Sequence, residues 1–228
     1  MQDEVLKHTQ KIHKAMNNSN HSFKEKLKEI IIEIFIIVFA VSLSIYLHSW
    51  SEHNHQQEEV QDFLVDLKSD LNEDIKAFNK ETEMLNSNIA TLQKLQKLTS
   101  KDYDDKEKLE IKISYTLRQT NVGNFEGFKS SGKIGYLENK KLKKDILEYF
   151  IQNIPPLYKI EDDRNRNITD LLKTIGNVES RKAVFDSREV KTLINFSLQL
   201  SSSLNIAYQE DIKLAQNIIK QIDNELKK

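Results

Sequence analysis

The most chemistry-like spacing in the chain is Gly127-Phe-Lys-Ser-Ser-Gly132-Lys133, which satisfies GxxxxGK, the first seven places of a phosphate-binding loop. In such a loop, backbone amides cradle the phosphates and a Ser or Thr hydroxyl in the eighth place holds Mg²⁺. Here that place is Ile134, the preceding TNVGNFEG is not a buried strand, and no βαβ pattern follows. Spacing without that scaffold cannot aim amides at a phosphate. The expectation is instead a Gly-rich turn clamped by Phe125, Phe128 and Tyr136 against neighbouring helices. The alternative use of Phe125, Phe128, Gly132, Lys133 and Tyr136 is a partner-binding loop, because exposed aromatics on a loop are good contact material.

All six histidines precede residue 56, and His48, His53 and His55 lie among Glu52, Glu58 and Glu59. On a helix, positions 53 and 55 point about 160° apart and cannot share an ion. His48 with Glu52, or His55 with Glu59, offers two ligands, too few for a tight site. No Ser-His-Asp set is credible with every histidine in this one stretch. The pairs Asp104-Asp105 and Asp162-Asp163 sit in polar runs, where nothing would raise a carboxyl pKa for acid catalysis. With no cysteine, thiol catalysis, disulfides and cysteine-ligated zinc are excluded. The expectation is a protein that is not an enzyme, with no catalytic, cofactor-binding or metal site.

The elements that would position these residues are helices. Among 228 residues there are only five Gly and two Pro, which argues against a sandwich, a barrel or a doubly wound sheet. Thirty-four Lys+Arg against thirty-five Asp+Glu leave no footprint for nucleic acid. The length allows one domain, or one domain with appendages.

Residues 30–50, IIIEIFIIVFAVSLSIYLHSW, carry one formal charge, at Glu33. At about 1.5 Å per residue they span roughly 31 Å, the thickness of a hydrocarbon core. A buried helix of a soluble protein and a cleaved signal peptide are the alternatives. The first lacks enough apolar surface elsewhere to enclose it, and the second lacks a small-x-small cleavage site. The best account is a single anchor in the lipid bilayer. Lys14, Lys24, Lys26 and Lys28 precede the span and the next basic residue after Trp50 is Lys68, so residues 1–29 form a cytoplasmic leader. Tyr46 and Trp50 suit the outer headgroup level. Glu33, Ala40 and Ser44 fall within about 20° of one line along the helix, with Ala40 and Ser44 a small-xxx-small pair. Three readings of Glu33 stand open: its carboxylate snorkels to the headgroups, it is protonated or paired at a self-association face, or it belongs to an ion or proton pathway.

Glu-Ile followed by an apolar run closing at Trp-x-Glu, Glu33 to Glu52, resembles a family of uncharacterised single-pass membrane proteins common in Bacteroidota, known only as a domain of unknown function. Phe128, Ser131, Gly132, Lys133 and Ile134, then Leu142, Ile146, Tyr149 and Phe150, are similar to its second block. Ala40 stands where a Gly is expected, and His48-Ser49 where Asn-Asn is usual. The resemblance implies residence in the bacterial inner membrane and carries no activity.

Residues 51–228 are expected to form an elongated helical, coiled-coil-like domain outside the cytoplasm. Apolar residues at Val60, Leu64, Leu67, Leu71, Ile75, Phe78, Leu85, Ile89 and Leu92, with Thr82 in phase, predict a long helix over about 55–99. With no Gly or Pro to break it, this helix is free to continue the anchor. Val190, Leu193, Ser197, Leu200, Leu204, Ala207, Asp211, Ala215, Ile219, Ile222 and Leu226 predict another over 187–227, paired antiparallel with the first. Middle helices fill 107–176: one over Glu107–Gln119, a loop over Asn121–Gly135, a helix over Lys140–Gln152 stopped by Pro155-Pro156, and one over Leu157–Ile175 capped by Gly176. Asp186 or Ser187 supplies an N-cap oxygen for the last helix. Asp62, Asp66, Asp70 and Asp74 form an acidic row facing solvent, or Lys213 and Lys220.

The function these features imply is that of a membrane-anchored structural or interaction protein within a homo- or hetero-oligomeric complex, its partners being its own copies or other membrane proteins. The rival is a sensory, ligand-binding input subunit that signals through a separate partner.

Overall fold

In the computed structural model the described residues are 2–17, 23–102, 111–117, 120–176 and 181–227. They form an all-α protein, and none of them lies in a β-strand. The chain divides into two compact units, Met1–Glu58 and Glu59–Lys228.

The first unit holds α1 (Gln2–Asn17) and the start of α2 (Phe23–Lys97). Anchor and stalk, expected as 30–50 and about 55–99, belong to one 75-residue helix. No Gly or Pro interrupts it, so every residue keeps its i→i−4 bond available. The most apolar stretch of α2 reaches a mean hydropathy of 2.7, and none of it is buried inside the protein. It is long and apolar enough to cross a membrane.

The second unit is built on three long helices, α2 from Glu59 onward, α5 (Ile154–Gly176) and α7 (Arg188–Glu225), with the short α6 (Arg181–Val184) between the last two. Lys68 bonds Asp223, Gln209 bonds Thr82, Asn205 bonds Asn86, and Gln96 bonds Asn195. Each step forward on α2 is matched by an equal step back on α7, so the two run antiparallel without a slip. Ser201, Ser202 and Ser203 leave α7 unbroken. α5 runs antiparallel to α7 as well, pairing Arg164 with Ser201 and Asn167 with Ser197. α2 and α5 therefore point the same way, and two parallel helices need a connection that travels back along their length.

That return is not the expected helix over Glu107–Gln119. Its described part, 111–117, is non-helical; residues 107–110 and 118–119 lie outside the described residues. Ile-Lys-Ile-Ser-Tyr-Thr-Leu alternates apolar and polar residues, and its β-branched members favour extended backbone over helix. The strap is followed by α3 (Gly123–Ser130), a 3₁₀ turn (Lys133–Tyr136) and α4 (Lys140–Leu147). The expected loop over Asn121–Gly135 is thus largely helical. Its sharp turn sits at Gly132, whose φ of 78° lies in the left-handed region that favours glycine.

Pro155 and Pro156 do not stop a helix. A π-helical turn over Glu148–Asn153 joins α4 to α5, and both prolines fall in the first turn of α5, where a missing N–H costs least. Gly176 is the last residue of α5 and lacks the positive φ of a left-handed cap. Ser187 holds the N-cap position of α7 but its side-chain oxygen accepts no helix N–H there, and Asp186 instead accepts from the Ser100 N–H at 3.1 Å.

Two apolar cores result. One gathers Val60, Leu64, Leu67, Leu71, Phe78 and Leu85 against α3, α4, the π turn and the end of α7. The other joins Leu92, Leu95, Ile168, Leu171, Phe185, Val190 and Ile194.

Candidate functional site

Polar residues interrupt the apolar seams: Asp74, Glu81 and Asp211 within the first core, and Asn88, Arg164, Asn167, Ser197 and Ser201 at the level between the two. On α2 the buried seam runs 60, 64, 67, 71, 74, 78, 81, 85, 88, 92 and 95, with Phe63 buried beside it, a 4-3 alternation that puts Asp74, Glu81 and Asn88 inside at seven-residue intervals. The sequence pattern placed Ile75, Thr82 and Ile89 there; they flank the seam and are only half-buried. On α7 the seam carries Ile194, Ser201 and Tyr208, each one residue beyond the expected Leu193, Leu200 and Ala207. α5 adds Glu161, Arg164 and Asn167.

Most of these groups bond one another or nearby backbone, as buried polar atoms generally do. The Tyr149 hydroxyl donates to Asp74 Oδ2 at 3.0 Å, and the Asn121 N–H donates to Asp74 Oδ1 at 2.8 Å. Tyr208 donates to Glu161 Oε1 at 2.6 Å, Asn153 to Asp211 Oδ1 at 3.0 Å, and Arg164 Nε to Ser201 Oγ at 2.9 Å. Asp74, expected on an acidic surface row, is thus a core residue, while Lys213 and Lys220 face solvent.

The same layer grips the strap. Asn88 exchanges two bonds with the Ser114 backbone, Nδ2 to the carbonyl and Oδ1 from the N–H, both 3.0 Å. Asn165 does the same for Thr116, accepting its N–H at 3.0 Å and donating to its carbonyl at 2.8 Å. Arg164 adds two bonds of 3.2 Å to the Ser114 carbonyl. Each asparagine amide imitates a neighbouring strand.

Electrostatically the layer is costly. Burial pushes Asp74 up to about 6 despite the bonds from Asn121 and Tyr149, and burial pushes Asp211 up to about 6 despite that from Asn153. Burial also raises Glu81, opposed by the Leu117 N–H and the charge of Arg164. Among the described residues no hydrogen bond reaches Glu81 Oε2. Burial draws the Arg164 guanidinium down, while Tyr208 and Glu81 support its charge.

The residues singled out by sequence fall elsewhere. Gly127 and the residues around it are helical, and their amides bond backwards, Ser131 N–H to the Gly127 carbonyl and Gly132 N–H to that of Lys129. Lys133 donates to Glu59 Oε1 at 2.7 Å, so this lysine is held by a carboxylate. The amides are not gathered around a phosphate-sized space. Phe125 is fully buried on Phe150, and Phe128 stacks on Phe63 with centroids 3.9 Å apart. Both rings serve the core and not the exposed contact surface of the alternative reading; Tyr136 is half-buried. Lys133 borders a surface groove of about 460 Å³ in which Glu59, Asp62 and Asp66 rim Phe63 and Phe128, and Gly132 makes the left-handed turn just before it.

In the first unit, Glu33 Oε1 lies 3.9 Å from Lys11 Nζ. Ala40 and Trp50 are exposed, and Ser44 is half-exposed. No signal in the apolar pattern pointed to Asp74, Glu81 or Asn88. The alternation in residues 111–117 and the seven-residue spacing of the three polar residues were the readable clues.

Fold and site together define an all-helical protein with a polar-layered bundle and one helix apolar enough to cross a membrane. The chain matches the family of unknown function DUF6090 over residues 33–160 and belongs to that family. The match includes the apolar run from Glu33, the three polar seam residues of α2, the strap and Tyr149. No curated protein and no solved structure matches the chain.

Proposed function

We propose that the protein is a single-pass anchor of the bacterial inner membrane that works by binding rather than by catalysis. Residues 30–50 cross the bilayer, the leader stays in the cytoplasm, and the helical unit stands outside to hold its own copies or other membrane proteins. The observation that carries this reading is the apolar stretch of α2, of which nothing is covered by protein. In water such a surface would drive aggregation; in lipid it is solvated. The lysines before the span and the next basic residue at Lys68 support the orientation. Ala40 and Ser44 supply the close-approach face for self-association.

Cysteine is absent from the chain, so single substitutions report cleanly. Ala40→Cys in native membranes is expected to give a disulfide-linked dimer on oxidation, and protease added to intact spheroplasts is expected to digest 59–228. A protected helical unit, or a full chain that stays in solution without detergent, overturns the anchor.

A second reading, a sensory input subunit signalling through a separate partner, is favoured by the buried ionisable layer. Such a layer costs stability against an apolar core and is retained where it sets register or a switch. Hydrogen exchange in the strap that changes on addition of a small molecule, with the two apolar cores unaffected, supports this reading. Exchange indifferent to every added ligand counts against it.

A further inference from the structure

A groove runs between α2 and α3, floored by the stacked rings of Phe63 and Phe128. On the α3 side it is lined by Gly123 and Gly127, one turn apart. A Cβ on either would meet nothing within 4 Å, so bare backbone keeps the groove open. On the α2 side stand Glu59, Asp62 and Asp66. Lys133 neutralises Glu59, whereas Asp62 and Asp66 have no hydrogen bond or ion pair among the described residues. The lysines next along the two helices are engaged elsewhere, Lys68 by Asp223 and Lys129 by Glu126. An apolar floor beside two unmatched carboxylates suits a cation on an aliphatic stem, whose methylenes cover the rings while its head reaches the acids.

The chain carries such cations on α4. Lys140, Lys141 and Lys144 fall within about 100° of that helix's circumference, opposite buried Leu142 and Ile146, and all three are exposed. Lys141 is tied to Asp145, but Lys140 and Lys144 have no ion pair among the described residues. Their i, i+4 spacing is about 6 Å along the helix, equal to that of Asp62 and Asp66. The two faces also stand at neighbouring levels of the second unit. Asn139 bonds Glu225 while Lys68 bonds Asp223, so the start of α4 is level with α2 near Asp66. Asn217 and Gln221, further back along α7, bond Asp145, so α4 runs in the same sense as α2.

We propose that the α2–α3 groove of one copy takes the Lys140–Lys144 face of α4 of a second copy, the lysine pair meeting Asp62 and Asp66. Copies anchored in one bilayer share a direction, which sets the two pairs in the same sense with at most about one helical turn between their levels. The contact is heterologous, groove to α4, so it links copies into a ring or a row. Exposed ion pairs are individually weak, and confinement to one membrane raises the effective concentration of the partners. The proposal rests on the reading of the chain as an anchored, self-associating protein.

The test uses two differently tagged full-length chains co-expressed in native membranes, one with Gly127→Cys in the groove and one with Lys141→Cys beside the lysine pair. A short bis-maleimide is expected to join the two tags, and neither chain expressed alone is expected to cross-link to itself. Asp62→Lys with Asp66→Lys in the Gly127→Cys chain is expected to abolish the product. Adding Lys140→Asp with Lys144→Asp to the Lys141→Cys chain is expected to restore it, which also shows that the reversed chains fold. Absence of a product joining the two tags, a product that survives the one-sided reversal, or a loss that the second reversal does not restore overturns the proposal. So does a Gly127→Cys chain that cross-links only to a different protein. If Ala40→Cys dimerises and the groove pair does not cross-link, the anchor reading stands and the groove contact alone falls.

Discussion

Two stretches of α2 are inverted copies of the usual plan. Residues 30–50 turn Ile, Phe and Val outward, with Phe35 68% exposed; residues 74–88 turn Asp74, Glu81 and Asn88 inward, each at most 5% exposed. The helix is the same, and what differs is the surroundings. None of the apolar window in the first stretch is buried inside the protein, so its side chains match lipid if a bilayer is present. The second faces α5, α7, Tyr149 and the strap, which supply hydrogen-bond partners for polar groups taken out of water. Exposure of an apolar surface and burial of a polar one are both tolerated where the neighbour has matching chemistry.

The sharpest way to break this comparison is to strand a charge in the polar stretch. Arg164→Ala removes the cation near Glu81 and the clamp on the Ser114 carbonyl. It is expected to cost about 3–5 kcal/mol of unfolding free energy in a denaturant titration. Replacing Arg164 by Met together with Glu81→Leu is expected to recover most of that loss, since an apolar layer needs no partners. In the apolar stretch the corresponding insult is Val38→Arg, expected to disfavour insertion by about 2.5–3.5 kcal/mol and to release the chain on carbonate extraction of membranes.

The next effect is pH-dependent. Asp74 and Asp211 titrate near 6 in the folded protein against an ordinary value of 3.8, so between roughly pH 4 and 6 the folded state keeps protons that the unfolded chain releases. Their contribution to stability is fully present below about pH 4 and is lost as pH rises through 6. At Asp145 burial works upward, but the hydrogen bonds from Lys141 and Gln221 help to hold its carboxyl below the ordinary value, so its contribution is instead lost as pH falls below about 4. Asp74→Asn reproduces the protonated form, with an amide able to accept from Asn121 and donate to Tyr149. It is expected to flatten the stability profile between pH 4 and 6 and to stabilise the protein at pH 8 by on the order of 2 kcal/mol. Equilibrium unfolding at pH 4.5 and 8 measures both. An unchanged slope would show that the carboxyl of Asp74 does not carry the dependence.

The smallest effect tests the strap. Asn88→Ala leaves the Ser114 N–H without its acceptor and is expected to cost about 1–2 kcal/mol. Hydrogen exchange at Ser114 should quicken more than at Leu67, which lies in the neighbouring apolar core.

The seven-residue rhythm shows where sequence reading goes astray. Counting apolar residues on α2 selects Ile75 and Ile89, because a lone segment gives no reason to bury Asp74 or Asn88 beside them. The partners that make those positions habitable, Tyr149 and the Ser114 backbone, lie 75 and 26 residues away along the chain. The same blindness turned the strap into a helix. Ile113 and Leu117 lie one helical turn apart, and only the asparagine side chains of α2 and α5 select the non-helical alternative. Pro155-Pro156 was taken for a stop for a similar reason: the π turn that accommodates it depends on how Tyr149 and Phe150 pack.

The sequence by itself determined that the chain is helical, that α2 and α7 are long, and that residues 30–50 are too apolar to be covered by the rest of the protein. These properties follow from composition and periodicity, which act within one segment. Tertiary structure alone decided which side of each seam is buried, that polar residues interrupt the interior, and that residues 111–117 are non-helical. Those choices depend on whether a donor or acceptor from a distant segment arrives within hydrogen-bond range, a condition no local pattern encodes.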